Sequence, residues 1–223
     1  MSSIFPAATV ILVRDANQGL EVLLLRKSTK LSFAKGAWVF PGGRIDQADY
    51  LDDLDDIEAA ARRGAVRETM EEAQLSVDEN QLLYFSHWTT PSAFPKRYAT
   101  WFFIAEVSGD IGDVVVDGGE IVAHRWYDPA EALAEHQAKQ IDMMPPTFVT
   151  LTELASCQTV TEALAMYRDR PVSEFLPKIT KIERGVAMLY PGDAGYERGD
   201  PHANGPRHRV LKLEEQWRYE KTE

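Results

Sequence analysis

The chain has 223 residues, 44% of them hydrophobic and 26% charged, enough to bury one substantial core. A net charge of −11 excludes a general nucleic-acid binder, which needs a basic face. The lone Cys157 excludes an internal disulfide framework and reads as a packing residue in a reducing compartment, and no apolar run reaches the roughly 20 residues that span a membrane.

In chain order, residues 8–13 and 21–25 read as a strand pair around the turn Asp15-Ala16-Asn17-Gln18-Gly19. A short strand at 38–40 runs into Pro41-Gly42-Gly43. Residues 46–56 carry six aspartates. That insertion reads either as a substrate or metal loop or as a solvated segment whose last aspartates cap the next helix. A helix follows at 57–73. Strands are expected at 82–89, 99–107 and 120–126, then a short helix at 129–137. Beyond Pro145 the pattern predicts helices at 147–155 and 160–168, with Thr159 as a cap for the second. Two strands, 178–190 and 207–218, flank a loop at 191–206 rich in Gly, Pro, Asp and Asn, which is expected to be mobile. The organisation expected is a core at 1–140 and an extension at 141–223 packed on it.

The chemistry concentrates in Arg67-Glu68-Thr69-Met70-Glu71-Glu72, with three carboxylates inside five residues directly after an arginine. A helix turns about 100° per residue, so Glu68, Glu71 and Glu72 share one face, with Val66, Met70 and Ala73 opposite. Like charges on one face repel, and a hard divalent cation such as Mg²⁺ or Mn²⁺ relieves the repulsion. The alternative is a plain solvated acidic face. Upstream, Phe40-Pro41-Gly42-Gly43 exposes backbone groups at close range, and a glycine carbonyl suits a hard cation.

These residues resemble the box of the Nudix hydrolase superfamily, G-x5-E-x7-R-E-U-x-E-E-x-G-U, with U a bulky aliphatic. Gly43 matches the opening glycine; Arg67, Glu68, Glu71 and Glu72 match the core; Leu75 matches the closing aliphatic. The spacing from Gly43 to the helix is longer than in the family. Counted back from the helix, the first box Glu falls on Ala59, with Glu58 one place early. Thr69 replaces an aliphatic, and Gln74 replaces the glycine expected to end the helix. Leu23-Leu24-Leu25-Arg26-Lys27-Ser28, Phe33, Gly36 and the run from Val39 to Asp46 with Asp49 are similar to the coenzyme A branch, where LLxxR leads into FPGGxxDxxD. Trp88-Thr89-Thr90-Pro91, Lys96-Arg97 and Thr100-Trp101-Phe102-Phe103 look like the peroxisomal "motif 19" acyl-CoA diphosphatases. So do Pro145-Pro146-Thr147-Phe148 and the stretch from Arg170-Pro171 to Pro191-Gly192-Asp193.

The resemblance implies an α/β/α Nudix sandwich with a mixed sheet, plus C-terminal helices and a strand pair. It implies a Mg²⁺- or Mn²⁺-dependent hydrolysis of a diphosphate, in the coenzyme A branch giving 3′,5′-ADP and (acyl-)phosphopantetheine. ADP-ribose or a nucleotide sugar is the other substrate reading, and a non-catalytic ligand-binding domain a third. Gly43, through its carbonyl, and Glu68, Glu71 and Glu72 are the implied metal ligands. Glu71 is either a ligand or the base, and Arg67 reads either as an anchor for the carboxylates or as a surface pair with Glu71, four residues on. Glu120, in Gly118-Gly119-Glu120, reads as a further catalytic acid or as an ordinary strand-start residue. Arg26, Lys96 and Arg97 are candidates for the substrate phosphates, Arg26 from its place in the coenzyme A-like segment, while Lys96 and Arg97 read equally as exposed loop residues. Trp88, Trp101 and Phe102 read as adenine-stacking or core residues, and His87 and His124 as structural. The chain starts without a basic, apolar leader and ends Lys221-Thr222-Glu223 rather than Ser-Lys-Leu, so a cytoplasmic protein acting on a small molecule is expected. No nucleic-acid or membrane partner is expected; a homodimer is left open.

Overall fold

The computed structural model describes residues 3–31, 34–51, 53–109, 112–214 and 216–222. Phe33 and Asp52 lie outside them. The first two strands, β1 (Ile4–Ala16) and β2 (Gly19–Lys27), pair as the sequence predicts. Val10 to Val13 and Val22 to Leu25 are each fully buried, because both faces of their sheet are covered. Among the described residues the main sheet has eight strands. Besides β1 and β2 it contains β3 (Trp38–Val39), β4 (Gly42–Arg44), β5 (Leu83–Thr89), β6 (Arg97–Glu106), β7 (Ile121–Tyr127) and β8 (Ser173–Phe175). The path runs β3-β2-β1-β6-β5-β8, with β4 on β1 and β7 on β2. β1 with β6 and β5 with β8 are parallel and the other pairs antiparallel, so the sheet is mixed.

Alternate side chains of β1 serve opposite cores. Val10 and Leu12 pack with Ala60, Ala61, Ala65 and Ala73 of α1 (Ile57–Ala73). Ile11 and Val13 join Phe148, Leu151 and Val160 on the other face, beneath α2 (Pro129–Gln137), α3 (Pro145–Leu154) and α4 (Val160–Arg168). The result is the expected α/β/α sandwich. Asp56, Asp128 and Thr159 cap α1, α2 and α4 by accepting from Ala59, Glu131 and Glu162 N–H groups; each such cap is worth about 1 kcal/mol. Gln74 takes the left-handed conformation that ends α1, at φ 55°, in the place where the sequence lacks glycine.

The C-terminal strand pair needs correction. Each expected strand is a hairpin: β9 (Lys178–Ile182) with β10 (Gly185–Leu189), and β11 (His208–Leu213) with β12 (Trp217–Lys221). Together they form a separate four-stranded antiparallel sheet in the order β12-β11-β10-β9. The chain reverses at Glu183-Arg184, and Gly185 opens β10 hard against β11. Its φ is 149°, and a Cβ there would lie 2.1 Å from the Lys212 carbonyl oxygen. This sheet packs on the α2–α4 side. Tyr190 and Val210 enter that core, and Trp217 meets the rings of Phe148 and His136.

The loop at 191–206, expected to be mobile, is cross-braced. The Asp193 carboxylate accepts from Arg209 at 2.7 and 2.6 Å, from His208 N at 2.9 Å and from Gly195 N at 2.8 Å. Both side chains are essentially buried. Burial alone would raise the Asp193 carboxyl, but Arg209 and the two backbone N–H groups outweigh it and hold it below the usual carboxylate range. Asp193→Asn leaves the Arg209 charge buried without its counter-ion and should cost about 3–5 kcal/mol. Urea unfolding at neutral pH measures this. The carboxylate's contribution is present above its unfolded value near 3.8 and is lost as pH falls through the depressed native value. The gap between wild type and variant should therefore shrink only below that point; equal stabilities at neutral pH would contradict the assignment.

Candidate active site

The glycine turn is held from below by β1. Thr9 Oγ1 donates to the Pro41 carbonyl at 2.5 Å, and Val10 N donates to the same oxygen at 3.0 Å. Gly42 and Gly43 pair with Thr9 and Ala8. β4 and β2 use the same edge of β1 at its two ends, which leaves the turn at the fork between them. Gly42 has φ 153°, and a Cβ on it would sit 2.4 Å from the Ala8 carbonyl oxygen, so only glycine fits. Gly43 is different. Its backbone suits any residue, yet a Cβ there would lie 2.4–2.7 Å from all three carboxyl atoms of Glu68. The missing side chain is the space in which the Glu68 carboxylate rests.

α1 lays two of its acids on this turn. Gly42 N donates to Glu72 Oε2 at 2.8 Å, and Glu72 is only 7% exposed. Burial pushes Glu72 up to about 7 against the pull of the Gly42 N–H and Lys27. Burial also raises Glu68, outweighing the neighbouring Arg67. Glu71 departs from the expected single face. Its side chain is 57% exposed and meets Arg67 at 3.1 Å. Met70, expected on the side away from the acids, is also exposed, and Thr69 is fully buried instead. The cause is the row of small residues Ala61, Ala65 and Thr69, spaced by four, which lets the helix settle against the sheet on that stripe. Thr69 satisfies its hydroxyl by donating to the Ala65 carbonyl at 2.7 Å.

Arg67 is the hub of the site. It donates to Asp49 Oδ2 at 2.9 Å and Oδ1 at 3.2 Å, a two-pronged pair. Its other contacts are Glu68 at 3.0 Å, Glu71 at 3.1 Å and the Arg44 carbonyl at 2.9 Å. Asp49 sits in a 3₁₀ turn (Gln47–Tyr50), is 6% exposed and also accepts from Asp46 N. Gly64 leaves room for it, since a Cβ there would stand 3.2 Å from Asp49 Oδ2. This corrects the reading that placed the first box acid at Ala59. Counted forward from Gly43, G-x5-E ends on Asp49, so the insertion follows the supporting acid rather than preceding it. Two other described aspartates serve the backbone, as the capping alternative expected: Asp53 accepts from Asp55 and Asp56 N–H groups, and Asp56 caps α1.

On the other side stands Lys27, which the sequence reading did not single out. Its Nζ lies 2.7 Å from Glu120 Oε1 and 3.9 Å from Glu72 Oε1. The Glu120 segment is fixed by Asp117, which accepts from Glu120 N and Ile121 N, and by Ser28 N donating to the Glu120 carbonyl. The structure thus joins Glu120 to Glu72 through one ammonium. The signal was available: LLxxR counted from Leu23-Leu24 ends on Lys27, not Arg26. Arg26 is exposed and lines a 470 Å³ cleft with Lys27, Ser28 and Lys30. Lys96 and Arg97 are not brought to the carboxylates. Arg97 pairs with Ile4, four residues before the Ala8 that pairs with Gly43, or about 13 Å along the sheet. Arg97 donates to the Thr90 carbonyl, and Lys96 lies over Tyr98. Trp88 and Phe102 are core, Trp88 stacking on Phe175 at 3.9 Å. His87 packs edge-on against Trp101.

Among the described residues no three acidic or histidine side chains already converge on one point. The donor set still suits a hard cation: two carboxylates raised by burial, a glycine turn that leaves space for one of them, and Glu120 opposite. Asp49→Ala removes both prongs holding Arg67 and leaves Asp46 N without its partner. It should cost about 2 kcal/mol in urea unfolding; a change under about 0.5 kcal/mol, as at an ordinary surface position, would show that the brace is idle.

Residues 4–146 match the NUDIX domain family. The chain is 24% identical over 286 aligned positions to an acyl-coenzyme A diphosphatase of Xenopus laevis, covering 86% of this chain and 75% of that one. It is 27% identical over 130 positions to an acyl-coenzyme A diphosphatase of Gallus gallus, covering 55% of this chain but 34% of that one. A NUDIX hydrolase from Alicyclobacillus acidocaldarius superposes with a TM-score of 0.67 at 24% identity, covering 74% of this chain and 97% of that one. With the acids of α1 laid on the glycine turn and the family match spanning well over half its length, the chain belongs to the NUDIX domain family and is a Nudix-type pyrophosphohydrolase.

Proposed function

We propose that this enzyme hydrolyses the diphosphate of coenzyme A or an acyl-CoA to 3′,5′-ADP and (acyl-)phosphopantetheine, with Mg²⁺ or Mn²⁺. The observation that carries the reading is the pair of inward acids, Glu72 on Gly42 N and Glu68 on the bare face of Gly43, facing the Lys27–Glu120 arm. The likeness to acyl-coenzyme A diphosphatases supports the choice of substrate. So does the LLxxR to FPGG segment, with Lys27 in the arginine position.

Glu68, Glu72 and the Gly43 carbonyl would hold the cation, with Glu71 or Glu120 completing the set. When bound, the cation screens the diphosphate charge and makes water a stronger nucleophile. Lys27 adds positive charge beside the same acids and faces the phosphates. Arg67 is committed to Asp49, Glu68 and Glu71, so it positions carboxylates rather than substrate. Water adds to one phosphorus in line, and the bridging P–O bond breaks, its electrons leaving with the second phosphate. The proton goes to Glu71 or Glu120, the two acids open to solvent. No helix among the described residues is long and apolar enough to cross a membrane. A cytoplasmic enzyme acting on a soluble small molecule completes the reading.

Incubation with coenzyme A, ADP-ribose and a nucleotide sugar, with products identified by mass spectrometry, tests it. The expected products are 3′,5′-ADP and phosphopantetheine; a strong preference for ADP-ribose would reject the coenzyme A version. Glu72→Gln should lower turnover by roughly 10²–10³-fold, the scale of losing one transition-state contact, with the unfolding midpoint kept. Undiminished turnover would remove Glu72 from the chemistry.

A further inference from the structure

A second cleft of 710 Å³ lies where the C-terminal sheet meets the turn between α2 and α3. Ile141 on the core side and Val186 and Trp217 on the sheet side give it apolar walls. Its charges cancel: Lys139 and Lys212 are matched by Asp142 and Glu214. The cleft beside the candidate active site is the opposite. Arg26, Lys27 and Lys30 line it, and among the described residues no acid does. The two clefts share Gly36 in their walls, so they adjoin. Gly36 has φ 72°, and the Gly36 turn is tied to both neighbours: Ala37 O accepts from Lys27 N, and Trp38 N donates to Asp142 O at 2.8 Å.

We infer that the neutral cleft seats the uncharged arm of the substrate, and that the C-terminal sheet sets substrate choice by forming one wall of it. The inference rests on the coenzyme A reading above. A substrate of that class has two unlike parts. Its phosphates seek the lysine- and arginine-lined cleft next to Glu72 and Glu120. Its pantetheine chain carries amides and methylenes without charge, and suits a wall of apolar side chains and balanced ions. The order along the protein, acids, then cationic cleft, then neutral cleft, matches the order along such a molecule from diphosphate to thiol. The rim supplies polar ends for the amides, because Gln140 is exposed there. Gln137 is already engaged, accepting from Trp217 N at 3.0 Å and donating to its carbonyl at 2.7 Å, and so fixes the sheet wall to α2.

The test blocks the neutral cleft from either wall. Gln140→Trp fills it from the exposed turn, and Val186→Phe fills it from the sheet. Each variant and the wild type are assayed on coenzyme A and on a nucleoside diphosphate whose distal group is only a methyl ester. The expected result is a fall of about tenfold or more in kcat/KM for coenzyme A, carried by KM, with the methyl diphosphate unaffected. Equal losses on both substrates, or no loss on either, would overturn the inference while leaving the hydrolase reading standing. A wild-type enzyme that cleaves the methyl diphosphate but not coenzyme A would reject the coenzyme A reading and this inference with it. Should Val186→Phe fail to fold, Gln140→Trp still decides, since it changes an exposed turn.

Discussion

The structure turns on one contact, the docking of an acidic helix onto a glycine turn. Burying a carboxylate costs several kcal/mol unless it is hydrogen-bonded or paired. Glu72 is accommodated by a single backbone N–H and a lysine nearly 4 Å away. Glu68 lies against a Cα with no side chain. Both acids are left under-compensated, which is why their proton affinities rise. A protein keeps such an arrangement where something else supplies positive charge.

Much of the surrounding structure holds that docking in place. Asp49 grips Arg67 from the 3₁₀ turn that follows the glycine turn, and Arg67 in turn fixes Glu68 and Glu71. The alanine stripe on α1 lets the helix lie close to β1, so that Glu72 reaches Gly42. Thr9 and Val10 hold the turn from beneath through the Pro41 carbonyl. On the far side Lys27 ties Glu120 to the same acids. Helix, 3₁₀ turn, first strand and the β7 entry therefore all meet at one place.

Local signals made the helix legible in the sequence. Asp56 caps it, its acids cluster, and its limits at Ile57 and Ala73 follow from those features. The glycine turn was legible for the same reason. The insertion hid Asp49, because distance counted back from the helix crosses extra residues while distance counted forward from Gly43 does not. Lys27 was hidden by the stronger appearance of its neighbour Arg26; the count from Leu23-Leu24 separates them, and the contact with Glu120 bears that count out. The hairpins of the C-terminal sheet were obscured because the first turns on only two charged residues, Glu183-Arg184, inside a run that otherwise alternates as one strand. The brace in the 191–206 loop rests on Arg209, a partner on the next strand that local composition does not reveal.

A direct test of the central contact is the affinity for Mn²⁺ of wild type and Gly43→Ala, measured by calorimetry alongside urea unfolding. The methyl group is compatible with the backbone at Gly43 but occupies the position of the Glu68 carboxylate. The expected result is a loss of about tenfold or more in affinity, the scale on which displaced metal-site geometry acts, with little change in the unfolding midpoint. Equal Mn²⁺ affinity in the two proteins would contradict the claim that the bare face of this glycine seats a metal-binding carboxylate.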